Sequence, residues 1–176
     1  LRREEVDLVG LLVDTVADAR AAGPDHDWQL DLAVLEPPAD ATPEEAEDFL
    51  PEPPLVIGDE ARLRQVVVNL LANARVHTPA GSHVTTTLAR EGDTLIVRIH
   101  DDGPGIAPEV RDRLFERFAR GDSSRERRTG STGLGMSIAL AIVQSHGGSI
   151  DVDSSTAPED HGTTFSVRLP AAVVEE

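Results

Sequence analysis

The sequence predicts a two-layer α/β sandwich, with a mixed, mostly antiparallel sheet against a layer of three or so helices. Three observations predict it. Three long segments repeat apolar residues at spacings of three and four, the helical period. Six shorter segments alternate or run apolar as strands do. The order is helix, strand pair, helix, hairpin, helix, helix, strand pair, so the helices stand apart from mostly antiparallel pairs. At 176 residues the chain is long enough for one domain with a real core.

Residues 6–22, "VDLVGLLVDTVADARAA", place Leu8, Leu12, Val16 and Ala19 on one helical face, and Gly23-Pro24 ends the helix. "WQLDLAV" (28–34) alternates as a strand. "EPPADATPEEAEDFLPEPP" (36–54) is rich in proline and acid and offers no core face. It reads as a solvated loop between two strands, because "LVI" (55–57) resumes an extended pattern; a linker between two domains would leave flanks too small to fold alone.

Asp59 is a candidate N-cap for the next helix, in which Leu63, Val67, Leu70 and Ala74 form the apolar stripe. "SHVTTTLARE" (82–91) and "TLIVRIHD" (94–101) are strands joined at Gly92-Asp93, a hairpin signal. After "DGPGI" a short helix starts near Pro108, with Val110, Leu114 and Phe118 on one face. "RGDSSRERRTGST" (120–132) is polar and basic. "GLGMSIALAIVQSHGG" aligns Ile138, Ala141, Ile142 and Ser145 and stops at Gly147-Gly148. The last strands are 149–155 and 163–170.

The formal net charge is -16, from 16 Lys plus Arg against 32 Asp plus Glu. Non-specific nucleic-acid binding needs basic surface to displace counterions, so that class is disfavoured. Arginines nevertheless crowd residues 111–128, which leaves room for a local anionic ligand. There is no cysteine, which removes disulfides, thiolate metal sites and cysteine nucleophiles. No apolar run approaches 18 residues, and the first residues do not form a signal peptide.

Three features invite chemistry. Gly103 and Gly105 follow Asp101 at a strand end. Glycines there allow a ligand to approach backbone closely, though "DGPG" alone reads equally as an ordinary turn. Gly130, Gly133 and Gly135 precede an apolar helix, whose N-terminal N–H groups favour an anion. The pattern is neither a P-loop nor a dinucleotide fingerprint. Asn69 and Asn73 share one face at the border of the apolar stripe. Asparagine is a poor helix former, so its presence there asks for a reason. Two amide oxygens on one wall suit a hard cation such as Mg²⁺, which takes oxygen ligands and keeps waters and phosphates as the others. The alternative is two partly exposed polar residues at a helix edge.

Together, in this order, the motifs resemble the catalytic ATP-binding domain of bacterial two-component sensor histidine kinases, in the superfamily that also holds gyrase B, Hsp90 and MutL. "NLLANARVHTP" looks like the N box, "DDGPGI" the G1 box, "LFERFARGD" the F box and "GSTGLGM" the G2 box. The resemblance covers roughly residues 6 to 170. It implies a Bergerat-type fold with an ATP lid at 107–132, with 1–5 as the end of a linker and 171–176 as a tail. It implies ATP and Mg²⁺ as cofactors. Asp101 would accept from the adenine amino group, which disfavours guanine, and Gly103 and Gly105 would let backbone close on the base. Asn73 would ligate the metal, with Asn69 in support as part of the catalytic set. His77 would flank the nucleotide, and Arg120 would reach the terminal phosphate. Gly133 and Gly135 would wrap the phosphates, and Ile106, Phe118, Thr132, Leu134 and Thr164 complete the pocket.

Two departures stand out. Many relatives carry Lys where this chain has Val76, so that contact is absent or comes from Arg75 or Arg128. Ser131 replaces a glycine of the common G2 form. The hydrolysing branches place Glu at the Asn69 position, and an amide cannot act as a general base, so hydrolysis should be slow and the γ-phosphate kept for transfer.

None of the six histidines, at 26, 77, 83, 100, 146 and 161, stands in the His-Glu-x-x-x-Pro context of a phosphoacceptor. His146 precedes Gly-Gly at a helix end, where capping is its expected role. The acceptor is therefore expected on a separate dimerisation domain N-terminal to residue 1. The chain alone should be monomeric and cytoplasmic, the catalytic part of a homodimeric, membrane-anchored sensor that signals to a response regulator. The rival readings are an ATPase of the same fold, an anti-sigma-type serine kinase and a nucleotide-dependent interaction module.

Overall fold

The computed structural model describes residues 1–111, 114 and 132–173. The chain runs β1 (Glu4–Asp7), α1 (Leu8–Ala22), β2 (Asp27–Asp31), a 3₁₀ turn (Ala33–Leu35), α2 (Pro43–Glu47), β3 (Leu55–Gly58), α3 (Glu60–His77), β4 (His83–Glu91), β5 (Thr94–Asp101), α4 (Thr132–Ser145), β6 (Ser149–Ser155) and β7 (Gly162–Pro170). Residues 108–111 add a helical turn between β5 and α4.

Five strands form one sheet in the order β2-β4-β5-β7-β6. Every pair is antiparallel except β2 with β4. A parallel neighbour needs a long crossover, and here the crossover contains α3. The hairpin expected at Gly92-Asp93 forms, with Glu91 paired to Thr94. Helices α1, α3 and α4 cover one face of the sheet, with α3 in contact with both of the others. This is the expected sandwich.

The core lies between these layers. Helix α1 buries Leu8, Leu11, Leu12 and Val16, and α3 buries Leu63, Val66, Val67, Leu70, Leu71 and Ala74. The sheet answers with Val84, Leu88, Leu95, Val97, Ile99, Phe165, Val167 and Leu169. Each buried aliphatic side chain contributes about 1.5–3 kcal/mol by leaving water.

Three expectations are corrected. Residues 28–34 and 55–57 were expected as a strand pair across the acidic loop. Instead β2 pairs with β4, and β3 pairs with β1 in a separate two-stranded sheet. Strand β1 itself is an addition: Val6 was expected inside a helix, but it is buried in a strand, and Asp7 caps α1 by accepting from the Val9 N–H. In α4 the buried face is Met136, Ala139, Ile142 and Val143, whereas Ile138 is half-buried and Ala141 and Ser145 are exposed. That helix is apolar on nearly every side, so its sequence period did not single out one face.

The acidic segment is mostly exposed. Its one helix, α2, buries no residue and is held by a capping box between Thr42 and Glu45. At its far end Glu52 pairs with Arg90 at 2.9 Å. Val110 is exposed, Leu114 packs against the core, and Phe118 lies outside the described residues.

Candidate nucleotide site

Asp101 ends β5 on the face that carries Leu95, Val97 and Ile99, because side chains alternate along a strand. It therefore points toward the helices and is 8% exposed. Its Oδ1 accepts from the Gly103 N–H at 3.0 Å, and no described residue donates to Oδ2. Burial pushes its pKa up. The Gly103 N–H and the nearby His100 and His77 oppose that shift, and Asp102 adds to it.

The neighbouring carboxylate behaves oppositely. Partial desolvation works against Asp102, but the backbone N–H of His83 at 2.8 Å and its ring Nδ1 at 2.8 Å outweigh it, and the pKa falls. The hydrogen bond to Asp102 also raises the pKa of His83. Adjacent carboxylates thus divide their roles. Asp102 fastens the strand end to β4, and Asp101 is left facing inward.

The turn after Asp101 is clamped from two sides. Gly105 has φ +81, and a Cβ there would lie 2.0 Å from the Ser155 carbonyl oxygen. Ile106 donates its N–H to Ser154 Oγ at 2.7 Å, and Ser154 donates onward to the Gly162 carbonyl at 3.0 Å. His161 Nδ1 lies 2.6 Å from the Gly103 carbonyl and donates to it. A Cβ on Gly103 would lie 2.5 Å from the Thr78 methyl. Both glycines are thus required by close approach of the protein's own atoms.

Helix α3 carries both asparagines. Asn69 is half-buried, and its Nδ2 donates to the Gly135 carbonyl at 3.2 Å, leaving Oδ1 without a described partner. Asn73 is half-buried, and its amide makes no hydrogen bond among the described residues. His77 is exposed at the end of the helix. Helix α4 begins at Thr132, so Thr132, Gly133, Leu134 and Gly135 lie in its first turn rather than before it. The contact of Gly135 with Asn69 brings that helix start against α3.

One predicted residue is misplaced. Thr164 pairs with His100 on the opposite face of the sheet, its hydroxyl 2.8 Å from His100 Nδ1. The buried residue directly opposite Asp101 is Thr163. Alternation from the buried Phe165 places 163, not 164, on the inner face, and that signal was available in the sequence. Thr78, Ser154 and His161 are further contributors that sequence reasoning missed. Arg120 and Phe118, with most of the 107–132 lid, lie outside the described residues.

Asp101 is thus a buried strand-end carboxylate beside a glycine turn, with one oxygen that no described residue claims. The family model described as histidine kinase-, DNA gyrase B-, and HSP90-like ATPase matches residues 58–173. The chain belongs to this family, and it is a nucleotide-binding domain. It is 48% identical over 170 residues to the probable sensor histidine kinase TcrY of Mycobacterium tuberculosis, which covers 97% of this chain and 31% of that protein. Among solved structures it resembles the mycobacterial sensor histidine kinase MprB, at TM-score 0.73 and 28% identity over 98% of this chain and 99% of that one. It also resembles full-length ShkA in complex with AMPPNP, at TM-score 0.73 and 26% identity over 100% of this chain and 32% of that one. The chain spans about a third of the length of the sensor kinase TcrY. Among the described residues no helix is long and apolar enough to cross a membrane.

Proposed function

We propose that this domain binds Mg-ATP and donates the γ-phosphoryl group to a histidine on a phosphoacceptor domain of the same sensor kinase. The observation that carries the reading is Asp101: a buried carboxylate with one oxygen held by the Gly103 N–H and the other unclaimed by any described residue. An exocyclic amine satisfies that oxygen, and a ring carbonyl in its place repels it, so adenine is preferred over guanine.

The asparagines fit a magnesium ion. Neither the Asn73 amide nor the Asn69 Oδ1 has a partner among the described residues, and the Asn69 Nδ2 is fixed to Gly135. Neutral oxygen donors suit a cation whose charge is already balanced by phosphates. The ion, when bound, would neutralise charge on the phosphoryl oxygens. No carboxylate stands at position 69 to activate water. Transfer to an incoming imidazole is therefore favoured over hydrolysis. In that transfer the nitrogen–phosphorus bond forms, the bond to the β–γ bridging oxygen breaks, and ADP leaves with the electron pair.

The acceptor histidine, dimerisation and the response regulator belong, on this reading, to the rest of the parent protein and its partner. The test supplies the phosphoacceptor domain of the parent protein in trans with γ-labelled ATP. Acid-labile label on that domain, lost with Asn73→Ala, is the expected result. Acid-stable label on a serine would move the domain to the anti-sigma-type branch. ATP binding without transfer to any protein would leave an interaction module.

A further inference from the structure

We infer that His26, which lies outside every nucleotide motif of the chain, positions the adenine-recognising turn by acting through Thr78. The inference rests on Asp101 being the adenine acceptor.

The contacts form one continuous chain. His26 sits in the connection between α1 and β2, 52 residues away from Thr78 in sequence. Its ring lies 5.8 Å from that of Trp28, tilted by 35°. The Trp28 Nε1–H is fixed in turn to the Gly23 carbonyl at 2.7 Å. His26 Nε2 lies 2.7 Å from Thr78 Oγ1. That hydroxyl donates to the Ala74 carbonyl at 2.6 Å, so its lone pair receives the His26 N–H. The assignment fixes the ring as the Nε2–H tautomer.

Thr78 has its rotamer set by this pair of bonds. Its hydroxyl is committed on one side, so its methyl is directed to the other, where it abuts Gly103. Thr78 is 8% exposed, which leaves little room for another arrangement. The Gly103 N–H holds Asp101 Oδ1 at 3.0 Å. A rotation at Thr78 therefore shifts the glycine plane that orients the carboxylate. The backbone on both sides is tied as well: Asp27 donates to the Ser82 carbonyl at 2.9 Å and Gly81 donates to the Asp25 carbonyl at 2.7 Å. The histidine loop is thus docked on the segment that follows α3, and it remains in register with Thr78.

His26 touches neither Asp101 nor the space in front of it by any hydrogen bond. It is a positioning residue, and its effect should be specific to the adenine amino group. The experiment is calorimetric titration of the chain with ATP and with inosine triphosphate, which lacks that amine. The variants are His26→Ala, His26→Gln, Thr78→Val and Asp101→Asn, with thermal melts in parallel. His26→Ala and Thr78→Val are expected to weaken ATP about fivefold, equivalent to roughly 1 kcal/mol. They should leave inosine triphosphate affinity within twofold. His26→Gln, which retains a donor at similar reach, should recover most of the loss. In the Asp101→Asn background His26→Ala should have no further effect on ATP.

Equal weakening of both nucleotides, in step with a lowered melting temperature, would mean that His26 only stabilises the fold, and the inference fails. Unchanged ATP affinity in His26→Ala, with Asp101→Asn still defective, also overturns it while sparing the nucleotide reading. If Asp101→Asn binds ATP like the unaltered chain, the adenine reading itself has failed.

Discussion

The Nε2 of His146 accepts a hydrogen bond from the backbone N–H of Asp59 at 3.0 Å. The other ring nitrogen, Nδ1, donates to the Ile142 carbonyl at 2.7 Å. The ring thus caps the end of α4 and grips the residue that caps α3, whose own carboxylate accepts from the Arg62 N–H. The ring lies directly over Gly58, where a Cβ would sit 2.3 Å from His146 Cδ2. Capping was the role the sequence suggested for His146; the link to α3 was not visible there. His146→Ala strips a partly buried donor of its partner. It is expected to cost about 1–2 kcal/mol and several °C in the melting temperature. Gly58→Ala should destabilise by the same contact, and a melt unchanged in both would show the clasp to be idle.

Gly105→Ala should damage both stability and binding. A side chain at φ +81 is disfavoured by about 1–2 kcal/mol, and its Cβ would meet the Ser155 carbonyl. We expect a lowered melting temperature and at least roughly tenfold weaker ATP binding, because the turn that carries Gly103 is displaced. Gly81→Ala serves as the control: it also has positive φ, but nothing lies within 4 Å of its Cβ.

Asp101 should trade stability for binding. Its pKa is raised in the folded state above the ordinary 3.8, so the folded state binds the proton more tightly than the unfolded chain. Its contribution to stability is present at low pH and is lost as pH rises through the raised value. Asp101→Asn removes that penalty. The nucleotide-free variant should melt no lower than the unaltered domain at neutral pH, while ATP affinity falls about 10- to 100-fold, the worth of a hydrogen bond to a charged group. ATP affinity of the unaltered domain should also begin to fall on acidification above pH 3.8, the value for an ordinary aspartate. Titrations across pH, with melts alongside, test both halves.

Asn73→Ala should abolish the gain in ATP affinity that Mg²⁺ gives, and leave metal-free binding unchanged. Titration with and without a chelator reads this directly. A variant that still responds fully to Mg²⁺ would remove Asn73 from the metal site.

The acidic loop should be dispensable for nucleotide binding. None of the residues of α2 is buried, and Glu52, which pairs with the half-buried Arg90, is itself exposed, so this surface pair contributes about 0–1 kcal/mol. Replacing residues 38–50 with a short Gly-Ser turn should leave ATP affinity within twofold. A collapse of affinity would show that the loop supports the site.

The sequence by itself determined the layer architecture, the α3 stripe, the Gly92-Asp93 hairpin and the family to which the chain belongs. These are local matters: the 3.6-residue and 2-residue periods, cap chemistry and turn chemistry act over a few residues. Only the tertiary structure decided what pairs with what. The strands flanking the acidic loop have similar apolar content, and nothing in either specifies a partner; β3 went to β1 and β2 to β4. Helix α4 is apolar nearly all round, so its inner face was fixed by the α3 and sheet surfaces it met. Thr163 rather than Thr164 faces Asp101, because the register of β7 against β5 sets which hydroxyl turns inward. The joining of His26, Thr78 and Gly103, across 25 to 77 residues of chain, is likewise a product of packing, since side chains so far apart in sequence meet only when the layers close.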